Sequence, residues 1–343
     1  MLSGYVIGLT VSGPATRESV RKYLRRRALR IVPIAWAAVL LCVALRAAPG
    51  KTVLGNLLFL QNILPYPFGT RFPLLSNDSA LWSLSCEMLY YLLFVLIWRF
   101  TPRVWVAYAA TLVLALGRPL GIPPIVSFYA WGMIFWLSGL SVAWLTRTAR
   151  DGRRPPWLSA IVGSLAYWTI APFKALTLLY LPHYASPAAL APGRVDFCFG
   201  ATLVVLAITN RAPLVQRKLA LVALLLGVGV LPLKYAEGMY TSSDAWALGF
   251  MCLAAILWKI RPPMRPLAWL APVGMISYAL YAIQLPIADA IRDRFGFLPS
   301  GSAASYVVRL AVFAVIALSA AWLLECRMQP WIRARLRGRP GKA

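Results

Sequence analysis

Three clusters of polar side chains lie inside or beside long apolar runs, each at the spacing of one helical face. In "LWSLSCEMLYYLLF", residues 81–94, Glu87 has Ser83 at i−4, Tyr90 at i+3 and Tyr91 at i+4, and Trp82 is the second residue of the run. Those spacings meet on one side of an α-helix. A carboxylate at membrane depth costs roughly 2.5–3.5 kcal/mol on insertion scales, so it normally faces a cavity or a partner. Glu87 is therefore a candidate catalytic or substrate-orienting group; the structural alternative is a buried carboxylate neutralised by a proton or by a basic residue of another helix. In "VGMISYALYAIQLPI" the residues Ser277, Tyr281 and Gln284 follow i, i+4, i+7, with Tyr278 adjacent. This stripe suits the lining of a site, and it equally suits hydrogen-bonded packing between membrane helices. In "YLRRRALRIVPIAW" Arg27 and Arg30 stand at i, i+3, and Arg26 and Arg30 at i, i+4. The guanidinium fork grips phosphate with two hydrogen bonds, so this pair can clamp a phosphorylated donor; the plainer reading is topogenesis and attraction to anionic headgroups.

The elements that must position these groups follow from composition. Of 343 residues, 60% are hydrophobic and 13% charged, with mean hydropathy +0.70, which makes the bilayer the solvent. A spanning helix takes about 20 apolar residues. Ten stretches qualify, near 29–48, 81–99, 103–117, 125–146, 157–179, 195–209, 218–234, 243–260, 267–290 and 303–326, and predict an all-α polytopic bundle. The net charge of +25 is distributed unevenly: 25 of the 35 Lys and Arg fall in the alternate intervals 17–30, 99–103, 147–154, 211–218, 259–265 and 327–342. The positive-inside rule assigns those intervals to the cytoplasm, giving a membrane domain over 1–326 and a basic cytoplasmic tail over 327–343. Clusters separated by spans do not form the continuous basic surface that nucleic acid requires. The five cysteines show no CxxC, and the single histidine, His183, sits in "LPHYASP". Neither a disulfide framework nor a metal site is indicated.

"MLSGYVIG", "RRRALRIVPIAW", "LWSLSCEMLYYLLF" and "ISYALYAIQLPI", taken in series, resemble the acyltransferase-3 family of integral membrane O-acyltransferases, which commonly acetylate extracytoplasmic glycans. The resemblance spans residue 1 to about 326. It implies donor handling by Arg27 and Arg30, with acyl-CoA, in particular acetyl-CoA, as co-substrate. It also implies a functionally important Glu87, and a site lined by Trp82, Ser83, Tyr91, Ser277, Tyr278, Tyr281 and Gln284. The implied acceptor is a hydroxyl of a cell-surface or lipid-linked glycan, and the implied location is the bacterial inner membrane. Two departures stand out. The family's opening helix, with a basic residue and, eleven positions on, a histidine proposed as base, has no counterpart before "MLSGYVIG"; an N-terminally truncated chain with little activity of its own is expected, the alternatives being a degraded, non-catalytic homologue or a chain that uses another base, with Glu87 first in line. Gln284 stands where the family often has histidine; it keeps hydrogen bonding but exchanges no proton near neutral pH. The competing reading is a transporter or flippase for a polyprenyl-linked glycan, with Glu87, Lys174, Asp196 and Lys234 along a polar path. No inverted repeat is evident in its favour.

Overall fold

The computed structural model describes residues 2–11, 13–61, 72–75, 79–100, 104–117, 120–145, 155–180, 193–209, 213–294 and 303–336. Its regular elements are all helical: α1 (Leu2–Thr10), α2 (Arg17–Leu45), α3 (Gly50–Leu57), α4 (Trp82–Phe100), α5 (Val104–Leu116), α6 (Pro124–Leu145), α7 (Trp157–Ile170), α8 (Pro172–Tyr180), α9 (Gly193–Thr209), α10 (Pro213–Ala236), α11 (Ser242–Leu257), α12 (Arg265–Ala268), α13 (Ala271–Arg294), α14 (Ala303–Trp322) and α15 (Gln329–Leu336). Seven helical stretches among the described residues are long and apolar enough to cross a membrane. All ten expected stretches fall on helices, but three, over residues 106–116, 195–209 and 242–257, are shorter. Hydropathy does not register where a helix ends. Gly117 follows the last residue of α5, while α11 begins at a capping box formed by Thr241 and Asp244.

The chain forms two compact units: Met1–Gly13 with Thr101–Met264, and Pro14–Phe100 with Arg265–Ala343. In the first, α1 lies against α6. A Cβ on Gly4 would run into the Trp136 carbonyl, and one on Gly8 into Ala143 and Leu140, so close approach depends on these two glycines. The unit's core brings together Tyr167, Ile170, Leu203, Val230 and Met251. Two of its buried charged groups are matched by partners. Asp196 caps α8, accepting from the Phe173 and Lys174 backbone N–H groups at 3.0 Å, just after Ala171 turns the chain through φ +48°. Lys234 makes an ion pair with Asp244 and also donates to the Ile170 carbonyl.

The second unit carries the polar clusters. Thr16 caps α2 by accepting from the Ser19 N–H, and Glu18 sits in the first turn, where a negative charge complements the helix dipole. The core joins Ile34, Ala38 and Cys42 of α2 to Leu84 of α4, Ala279 and Ile283 of α13, and Ala317 and Ala321 of α14. Alanine at these contacts lets helix backbones approach. Helices α2 and α13 run parallel in register: Tyr278 donates to the Ile31 carbonyl, and fifteen residues further along both helices Arg46 pairs with Asp293. Helix α4 runs the opposite way, since Tyr91 lies beside Tyr23 whereas Ser83 meets Tyr281. A π-helical turn, Leu323–Met328, joins α14 to α15, and the latter lies along α2 through Gln329 Nε2 to the Arg30 carbonyl at 2.7 Å and Arg25 to the Leu336 carbonyl at 2.6 Å. Residues 327–336, expected to open the tail, continue the last apolar helix, which covers Ala304–Leu336.

Candidate active site

All the candidate residues belong to the second unit, on α2, α4 and α13, and the structure arranges them in three levels. At the middle level Tyr91 donates its hydroxyl to Glu87 Oε1 at 2.7 Å, a one-turn contact that the i, i+4 spacing supplies directly. The Arg27 guanidinium carbon lies 5.6 Å from the Tyr91 ring centre and 5.7 Å from that of Tyr23, within the range where an aromatic face attracts a cation. Tyr23 and Tyr91 are buried and meet edge to face at 6.4 Å. Arg27, Glu87 and Tyr91, which come from two antiparallel helices, are thus one cluster.

Three to four residues along each helix, Ser83 Oγ and Tyr281 Oη lie 2.8 Å apart, and the Tyr281 hydroxyl donates to the Ala80 carbonyl at 2.9 Å. This bond ties α13 to the entrance of α4. Trp82 is half-buried at the head of the same helix. On the α15 side, a group that spacing arguments did not single out, Glu325 in the π-helical turn, feels the charges of Arg30 and Arg333. Arg333 also donates to Gln329 Oε1 at 2.6 Å, while Gln329 holds the Arg30 backbone. Arg30, Glu87 and Glu325 all act electrostatically on Tyr278. The signal for Glu325 is present in "AWLLECRMQP": a carboxylate in an apolar run, the same criterion that marks Glu87.

Two expected residues do not join the cluster in this way. Ser277 is exposed and its hydroxyl donates to the Gly274 carbonyl in its own helix. Gln284 is half-buried one turn beyond Tyr281, on the side of the Ser83 level away from Glu87. His183 lies outside the described residues. Among the described residues no group of His, Cys, Asp and Glu is placed to hold a metal ion.

A helical membrane bundle that gathers arginines, a tyrosine-held carboxylate and buried phenols around one end of α2 has the makings of an integral membrane group-transfer enzyme. The chain belongs to the acyltransferase-3 family: the family's acyltransferase domain matches residues 1–326. No curated protein and no solved structure matches it.

Proposed function

We propose that this membrane acyltransferase moves an acetyl group from acetyl-CoA to a hydroxyl of a cell-surface or lipid-linked glycan, in the bacterial inner membrane. The observation that carries the reading is the Arg27–Tyr91–Glu87 cluster, which sets a phosphate-binding cation beside a hydrogen-bond acceptor. Arg27 and Arg30 hold the phosphates of the donor, a task for which guanidinium is better shaped than ammonium. Glu87, with one oxygen held by Tyr91, accepts a hydrogen bond from the attacking hydroxyl on the other. As the new C–O bond forms and the thioester C–S bond breaks, the hydroxyl proton leaves toward the carboxylate and ends on the departing CoA thiolate. Tyr278 and Tyr281, whose hydroxyls donate to the Ile31 and Ala80 carbonyls, hold α13 against α2 and the head of α4 around the site.

The transport reading loses its motive in the first unit. Asp196 is engaged in capping α8 and Lys234 in pairing with Asp244, so these groups need no passing substrate to account for their burial.

The test is transfer of radiolabel from the acetyl group of acetyl-CoA to membrane glycan in vesicles carrying the protein. An alkali-labile, donor-dependent label on the glycan is the expected result. Glycan that crosses the bilayer without becoming labelled overturns the proposal in favour of transport.

A further inference from the structure

A second polar feature lies in the first unit, which carries none of the candidate site residues. A cavity of about 260 Å³ is enclosed by α7, α9, α10 and α11, with Gly163, Leu203, Ala220, Leu224 and Met251 among its walls. It is mostly apolar, with Gln216 and Lys259 bordering it at one end and Ser159 and Ser164 of α7 in its wall. Gln216 is only 3% exposed, yet its Nε2 has no hydrogen-bond partner. A buried amide donor left unmatched costs free energy of the order of a lost hydrogen bond, so the site is set up for a ligand acceptor. The other polar walls are already engaged: Ser159 donates to Ala254 and Ser164 to Gly200.

The position of the opening indicates what enters. Leu221 of α10 and Ala255 of α11 line the cavity and are themselves exposed. On either side of them, Leu214, Leu225, Phe250 and Ile256 are exposed as well. In a membrane-spanning bundle such an outer face meets hydrocarbon, so the cleft opens to lipid. From Gln216 to Leu224 the wall extends about 12 Å along α10, at 1.5 Å per residue. The order of chemistry along that line is a cation, then an N–H donor, then an apolar channel. A glycerophospholipid has the matching order of phosphate, ester carbonyl and acyl chain.

We propose that the cleft between α10 and α11 is a phospholipid-binding site: one acyl chain fills the cavity, Gln216 Nε2 donates to its ester carbonyl, and exposed Lys259 meets the phosphate. The occupant is a resident lipid of the bilayer and is independent of the acyl-transfer site.

The experiment uses the full chain in nanodiscs containing a phosphatidylglycerol with a mid-chain diazirine. After photolysis, cross-links concentrate on Ala220, Leu224 and Met251 over the outward Leu225 and Phe250. Ala220→Phe, which fills the cavity, abolishes that excess. Gln216→Leu removes the unmatched donor without leaving a buried polar group, so folding is retained while cavity labelling falls about fivefold, as expected for one neutral hydrogen bond. Equal labelling of wall and outer face, or labelling indifferent to Ala220→Phe, overturns the proposal. Competition by unlabelled phosphatidylglycerol supports it. Stronger competition by polyprenyl phosphate, which has no ester carbonyl, or by a fatty acyl-CoA also overturns it, by identifying a substrate in place of a resident lipid.

Discussion

At the scale of single residues, the site rests on how Glu87 and Arg27 are held. Tyr91 donates to one Glu87 oxygen and presents its ring to Arg27, so one tyrosine positions both the carboxylate and the cation. Replacing Glu87 by Gln keeps the shape but removes the proton acceptor. Glycan acetylation in single-turnover assays is expected to fall by about 10²-fold or more, with donor affinity nearly unchanged. Tyr91→Phe keeps the ring for Arg27 but frees the carboxylate, and a smaller fall of about tenfold is expected from the loss of a hydrogen bond to a charged group. If Tyr91→Phe proves as damaging as Glu87→Gln, the phenol itself takes part in transfer. Arg27→Lys preserves charge yet loses the bidentate fork. Its expected effect is a weaker apparent affinity for acetyl-CoA, read as a raised KM, and an unaltered KM returns Arg27 to topogenesis and packing.

At the scale of elements, the sequence showed what depends on local spacing and concealed what depends on distant return. Ser83, Glu87 and Tyr91 share a face because they are four residues apart, and the structure keeps that relation. The partner of Arg30 was hidden, because it requires α14 to pass through a π turn and bring Gln329 and Glu325 back to α2 after about 300 residues of intervening chain. Ser277 misled for a related reason: an i, i+4 relation to Tyr281 is correct on the helix surface, but neighbouring helices cover only the Tyr281 end. Helix ends were likewise illegible to hydropathy, hence the three short helices. The pair Gly4 and Gly8 has a consequence at this scale, since α1 can lie on α6 only where no Cβ intervenes. Gly4→Ala forces the helix off the Trp136 carbonyl and is expected to destabilise the first unit by about 1–3 kcal/mol. Thermal unfolding in detergent measures it. An unchanged Tm means that α1 contributes no stability through this contact.

At the scale of the whole molecule, the remaining question is which side of the membrane holds each end of a span, and the charge distribution answers it through α10. This helix is 24 residues long, about 36 Å at 1.5 Å per residue, and so exceeds a hydrocarbon core of about 30 Å. Its first end carries Arg217 and Lys218, with Arg211 just before it in sequence, whereas the interval 237–241 past its second end has no Lys or Arg. Lys234, near that second end, is buried and paired with Asp244, which removes it from the loop charge that guides insertion. The positive-inside rule then puts Lys218 in the cytoplasm and Glu237 outside. By the same rule the interval 17–30, with Arg27 and Arg30, is expected on the cytoplasmic side, the compartment in which a CoA thioester is available. In a variant stripped of native cysteines, Glu237→Cys is expected to react with an impermeant maleimide applied to intact cells. Lys218→Cys is expected to react only after permeabilisation. The reverse pattern overturns the charge rule on which the cytoplasmic assignment of Arg27 and Arg30, and with it their proposed donor-binding role, depends.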